Sequence, residues 1–205
     1  MLLLALLALV QDVPPPPETA VDAERAMAAA ALTEGHWSAL MRFAADDAGV
    51  FTDRLRPASL QRLRGEPDQP IHWWPTASYV SCDGGYAINT GTWLSGTMKG
   101  DFLTLWRREP DGEWRWTLDF VGSLTRSRDP GARLLVETAS CAGDAATAFR
   151  GSGGSSPDRT LRWDRQPTQI GEELTVSLWD GERYRVVANA NTRHFDVRRR
   201  HDSAE

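Results

Sequence analysis

The chain predicts an α+β fold, and three observations carry that reading. Apolar residues recur at helical spacing before residue 65, and the period changes to two from residue 71. Turn signals such as Asp83-Gly84-Gly85 and Pro110-Asp111-Gly112 then separate the strand-like runs. Helices first and strands later, without β-α-β alternation, exclude a doubly wound parallel sheet.

Each element follows from local chemistry. Thr19 is placed to cap a first helix, with Asp22 complementing the dipole, Ala23, Met27 and Ala30 facing inward, and Gly35 as the stop. A second short helix carries Trp37, Leu40, Met41 and Ala44 on one stripe. Residues 49–52 read as a strand, and Pro57 as the first turn of a third helix ending at Gly65. Runs 77–82, 86–93, 100–107 and 114–121 then predict four strands in an antiparallel meander, because Asp-Gly turns supply the positive φ that hairpins need. Residues 134–136 suit a short strand, and 151–157, rich in Gly and Ser, read as a flexible linker. Runs 160–163, 174–179 and 184–188 predict a second small meander turning at Asp180-Gly181. The expected divisions are a leader and spacer over 1–17, an α+β unit over 18–122, a connecting segment over 123–158, and a β appendage with a solvated tail over 159–205.

With 205 residues and net charge −5, the chain is long enough for a core and is not built around a nucleic-acid surface. Residues Leu2 to Val10 are apolar throughout. They are too few to span a bilayer, which takes roughly 20, but match the core of an export signal. The reading is an exported, periplasmic protein with no stable membrane span. In that compartment Cys82 and Cys141 have the option of bonding to each other; the alternative is two separate buried thiols.

The string from His72 to Gly84 (HWWPTASYVSCDG), with Asn89-Thr90-Gly91-Thr92-Trp93 and Trp114-Arg115-Trp116-Thr117-Leu118-Asp119, resembles the branch called domain of unknown function 4440 of the nuclear transport factor 2-like, or SnoaL-like, superfamily. The likeness covers about residues 20–122. It implies a curved sheet wrapped over helices as an open-ended cone with a pocket, and dimers through the sheet. The superfamily includes ketosteroid isomerases and cyclases, so the resemblance implies a site suited to proton transfer. One scaffold hosts unrelated activities, however, and the fold names no substrate.

The residues themselves narrow the chemistry. His36, His72, His194 and His201 have no metal-ligand spacing, and no phosphate loop, nucleophile elbow or dinucleotide fingerprint occurs, so neither metal nor cofactor is expected. Nine tryptophans are the positive signal, most of them expected in the core. Trp73 and Trp74 must face opposite sides of a strand. Asn89 and Trp93 share a strand face across Gly91, which leaves room for a ligand or a close-packed helix. The expected ligand contacts are Asn89, Trp93, Trp73, Trp106 and Tyr79, around a small, largely apolar molecule.

Isomerase-type chemistry needs a carboxylate base and a donor in an apolar cavity. Asp53, Asp101 and Asp119 are the candidate bases, with Tyr79, Tyr86 or a tryptophan as donor. Strand alternation sets Asp119 opposite Trp114, Trp116, Leu118 and Phe120, so it is read as structural, unless a β-bulge slips the pattern. Asp53, after the first strand, becomes the catalytic candidate by elimination. The rival reading is a non-catalytic binding or dimerisation module.

Overall fold

The structure, a computed structural model, describes residues 17–51, 55–60, 65–145, 152–168 and 171–191. Two helices open it, α1 (Ala20–Glu34) and α2 (His36–Phe43). Thr19 Oγ1 accepts from the Asp22 amide at 3.2 Å, so one orphan donor of the first turn is satisfied by the expected cap. Gly35 separates the helices at φ 95°. Its missing side chain matters twice, because a Cβ there would also lie 2.8 Å from Glu66 Oε1. The Glu66 carboxylate takes that space and accepts the amides of His36 and Trp37 at 2.7 and 3.3 Å, capping α2 from a distant segment.

Strand β1 (Ala44–Phe51) follows α2 directly, and β2 (Leu55–Pro57) pairs back onto it. Pro57 therefore closes a short edge strand rather than opening a helix; residues 58–60 form one 3₁₀ turn, and 61–64 lie outside the described residues. The meander comprises β3 (His72–Val80), β4 (Tyr86–Ser95), β5 (Met98–Arg108) and β6 (Trp114–Leu124), paired antiparallel in that order. Strand β1 lies parallel along β6, and β7 (Leu135–Thr138) parallel along β3, so the curved sheet is mixed.

The remaining strands are β8 (Gly154–Ser155), β9 (Leu161–Thr168), β10 (Gly171–Trp179) and β11 (Tyr184–Asn191). Ala190 and Asn191 of β11 pair with Leu124 and Ser123, joining these strands to the end of β6. Part of the expected linker is thus strand: Gly154 and Ser155 pair with Trp163 and Arg162. A Cβ at Gly154 would fall 2.6 Å from the Trp163 ring, so the glycine there is a packing residue as well as a turn former.

The meander is covered on both faces. On one, Ala23, Met27, Leu40 and Phe43 of the helices pack against Trp73, Phe102, Trp106, Trp114 and Trp116. On the other, Ile88, Leu103, Leu105, Leu118 and Phe120 pack against Leu161, Leu174, Val176 and Leu178 of β9 and β10. Alanines 20, 23 and 30 let α1 approach the sheet closely while burying little side-chain entropy. The sheet face away from the helices is thus covered by the chain's own C-terminal strands.

A cavity between the helices and the sheet

Two register shifts decide what faces the helices. In β6, Leu118 stands opposite Leu105 but Trp116 stands opposite Trp106, which leaves Thr117 as one extra residue. Before that bulge Trp114 and Trp116 face the helices; their indole N–H groups donate to the carbonyls of Glu18 and Leu40 at 3.2 and 2.7 Å. After it Leu118 and Phe120 turn to the opposite core, and Asp119 and Val121 take over the helix side. The expectation that Asp119 opposes all four large residues is therefore corrected: the bulge turns its carboxyl inward. A second shift, between Pro75 and Ala77 of β3, separates Trp73 from Tyr79 in the same way. Tyr79 consequently sits in the opposite core and is no ligand contact on this side.

The space left under the helices is a cavity of about 240 Å³. Its walls are mostly apolar: Met27, Leu40, Val50, Phe102 and Val121, with the rings of Trp37, Trp73, Trp93 and Trp116. Three ionisable residues break that surface, namely Glu24, His36 and Asp119, with the hydroxyl of Thr104 between strands.

Glu24 is fully buried on α1. Trp73 Nε1 donates to its Oε1 at 2.9 Å, while Trp106 Nε1 and Asn89 Nδ2 donate to Oε2 at 2.7 and 3.3 Å. Burial raises its pKa, and the three donors, with Thr104 in the same sense, pull against that rise. Asn89 also donates to the Ala20 carbonyl at 2.8 Å, tying α1 to β4.

Asp119 is held far more loosely. Asn89, Thr104 and Asp119 stand opposite one another in turn across β4, β5 and β6, and the Thr104 hydroxyl donates to Asp119 Oδ1 at 3.3 Å. Desolvation, reinforced by the neighbouring Glu24 charge and opposed by Thr104, pushes its pKa up to about 7. His36 moves the other way: burial lowers it to about 4 against the pull of Glu66, so the imidazole is neutral at pH 7. Its Nδ1 has no hydrogen-bond partner among the described residues, and its ring meets Trp73 edge-on at 5.6 Å.

The expected site residues thus separate. Trp73 and Trp93 line the cavity. Asn89 and Trp106 lie behind it, fully buried, and act through Glu24 rather than by contact with an occupant. The room beside Gly91 is taken by Phe102, whose ring a Cβ would meet at 2.6 Å; Trp93 lies over Gly100 in the same manner. Asp53 lies outside the described residues. Asp101 is engaged elsewhere, accepting from Ser127 Oγ at 2.7 Å and from the Leu124 amide at 3.0 Å. Cys82 and Cys141 are joined as a disulfide, which anchors the segment after β7 to the β3–β4 turn. Among the described residues no three His, Cys, Asp or Glu side chains converge as a metal site requires.

Sequence reasoning missed Glu24 and His36. Glu24 was within reach, because it falls on the inward stripe with Ala20, Ala23 and Met27, where a lone carboxylate is out of place. His36 had no such signal; only the tertiary position of the Gly35 break aims it at the cavity. No family model matches this chain, and a search of curated proteins finds no match either.

Proposed function

We propose that this protein takes a small, largely apolar molecule into the cavity and moves a proton on it through Asp119, a reaction of the isomerase or cyclase type. The observation that carries the reading is the Asp119 carboxyl that the β6 bulge sets among tryptophan and aliphatic walls, where desolvation pushes its pKa up to about 7. A base is most effective when its pKa lies near the working pH, since it is then often ionised yet still holds a proton firmly. Asp119 meets that condition at neutrality, and Asp53 is set aside as the candidate base. His36, uncharged at pH 7, offers a neutral nitrogen to a polar group on the substrate. The buried Glu24 carboxyl beside it adds to the rise of the Asp119 pKa.

Two helices over a curved sheet support placing the chain in the nuclear transport factor 2-like group, with its cavity between the layers. The Cys82–Cys141 disulfide supports export to an oxidising compartment.

The test is native mass spectrometry of protein recovered from its own host, followed by incubation of any captured molecule with protein in heavy water. The reading expects carbon-bound deuterium to enter that molecule, and Asp119→Asn to slow entry by about 10²–10⁴-fold, the usual weight of a general base. A captured molecule that takes up no deuterium favours the binding-module reading, and a chain that captures nothing contradicts both.

A further inference from the structure

The charge pattern of the cavity selects the class of its occupant. Among the described residues that line it, the ionisable ones are Glu24, His36 and Asp119, and none is a lysine or arginine. Two carboxyl groups with no cation beside them disfavour a carboxylate or phosphate ligand. The oxygens of Glu24 are occupied by Trp73, Trp106 and Asn89, whereas Asp119 has one long bond from Thr104 and acceptor capacity left over. Trp37, Trp73, Trp93 and Trp116 supply most of the aromatic wall of the same cavity. Indole faces attract cations, and more strongly where water is excluded.

We infer that the preferred occupant carries a positively charged nitrogen, a protonated or quaternary amine on an apolar body, with that nitrogen seated against Asp119 between the tryptophans. This rests on the cavity being the functional site. A neutral occupant would expel water and leave Asp119 to take up a proton; a cation does the reverse and holds it in the ionised, proton-accepting form. The filled site thus holds Asp119 unprotonated, at some cost in its proton affinity.

The experiment compares benzyltrimethylammonium with neopentylbenzene, its uncharged isostere, on the full chain by calorimetry and tryptophan fluorescence. At pH 8 the cation is expected to bind tighter by on the order of tenfold or more. At pH 5 the ratio should shrink, because Asp119 is then protonated while His36 remains neutral. Glu24, the third ionisable group facing the space, is unchanged in Asp119→Asn, so that variant separates its contribution. Calorimetry at pH 7 in buffers of different ionisation enthalpy should show proton release for the cation and uptake for the isostere. Asp119→Asn should bring the pH 8 ratio toward one, with neopentylbenzene affinity in the same variant reporting on the state of the cavity. Equal or weaker binding of the cation at pH 8, or a ratio that Asp119→Asn leaves intact, overturns the inference while the apolar-ligand reading stands. Binding of neither compound overturns both.

Discussion

Glu24 and Asp119 share a cavity but hold their protons differently, because three donors converge on one and a single hydroxyl serves the other. That asymmetry has a measurable consequence for stability. The folded-state pKa of Asp119 is raised from 3.8 to about 7, so its contribution is fully present below pH 4 and is lost as pH rises to about 7. His36, lowered from 6.5 to about 4, works oppositely: its contribution is present above pH 6.5 and lost as pH falls toward 4. Between pH 4 and 6.5 the two slopes oppose. In Asp119→Asn the acid-side slope should therefore turn more positive. Stability of that variant at pH 8 should rise by about 2–4 kcal/mol, since each tenfold change in proton affinity is worth roughly 1.4 kcal/mol. Urea unfolding across that pH range checks both, and a variant with the parent's pH profile would contradict the raised pKa of Asp119. At this scale the sequence was half legible. Glu24 stands out on an apolar stripe, but Trp73, Asn89 and Trp106 reach it from 49, 65 and 82 residues away, and no local pattern announces such donors.

The bulge at Thr117 shows why the phase of β6 could not be read from its pattern. Trp114, Trp116, Leu118 and Phe120 are all buried, as one alternating face would be, yet the first two belong to one core and the last two to the other. Arg115, Thr117 and Asp119 continue an unbroken polar alternation through the bulge, so the slip leaves no mark in the pattern. The strand runs themselves were legible, since turn chemistry and alternation depend on neighbours in sequence. Two packing tests belong to these elements. Gly91→Ala would set a Cβ 2.6 Å from the Phe102 ring and against the Trp74 carbonyl, so β3 and β4 must part locally; a loss of about 1–3 kcal/mol is expected by chemical denaturation. Thr19→Ala removes the α1 cap and should cost about 1 kcal/mol, read in the same way. A loss at the glycine no larger than that at Thr19 would contradict the close approach of β3 and Phe102 to Gly91.

The whole molecule is a sheet sealed on both faces, and only one covering was anticipated as a cover. Helices α1 and α2 were legible as amphipathic segments, but the docking of β9 and β10 on Leu103, Leu105 and Phe120 is a long-range event that strand patterning alone does not express. The disulfide belongs to this scale, because it closes a long chain loop: Cys82 and Cys141 are 59 positions apart. Replacing both by serine should lower stability by on the order of 4 kcal/mol on the chain-entropy account, measured against the oxidised parent in urea. The helices that cover one face also wall in the cavity, and desolvation there lifts the Asp119 carboxyl toward neutrality. The most direct measurement is a carbon-13 NMR titration of the side-chain carboxyls, with the Asp119 signal assigned by its loss in Asp119→Asn. A midpoint near pH 7 is the expected result. A midpoint near 3.8, the ordinary aspartate value, would mean that the carboxyl faces water and that the cavity holds no base.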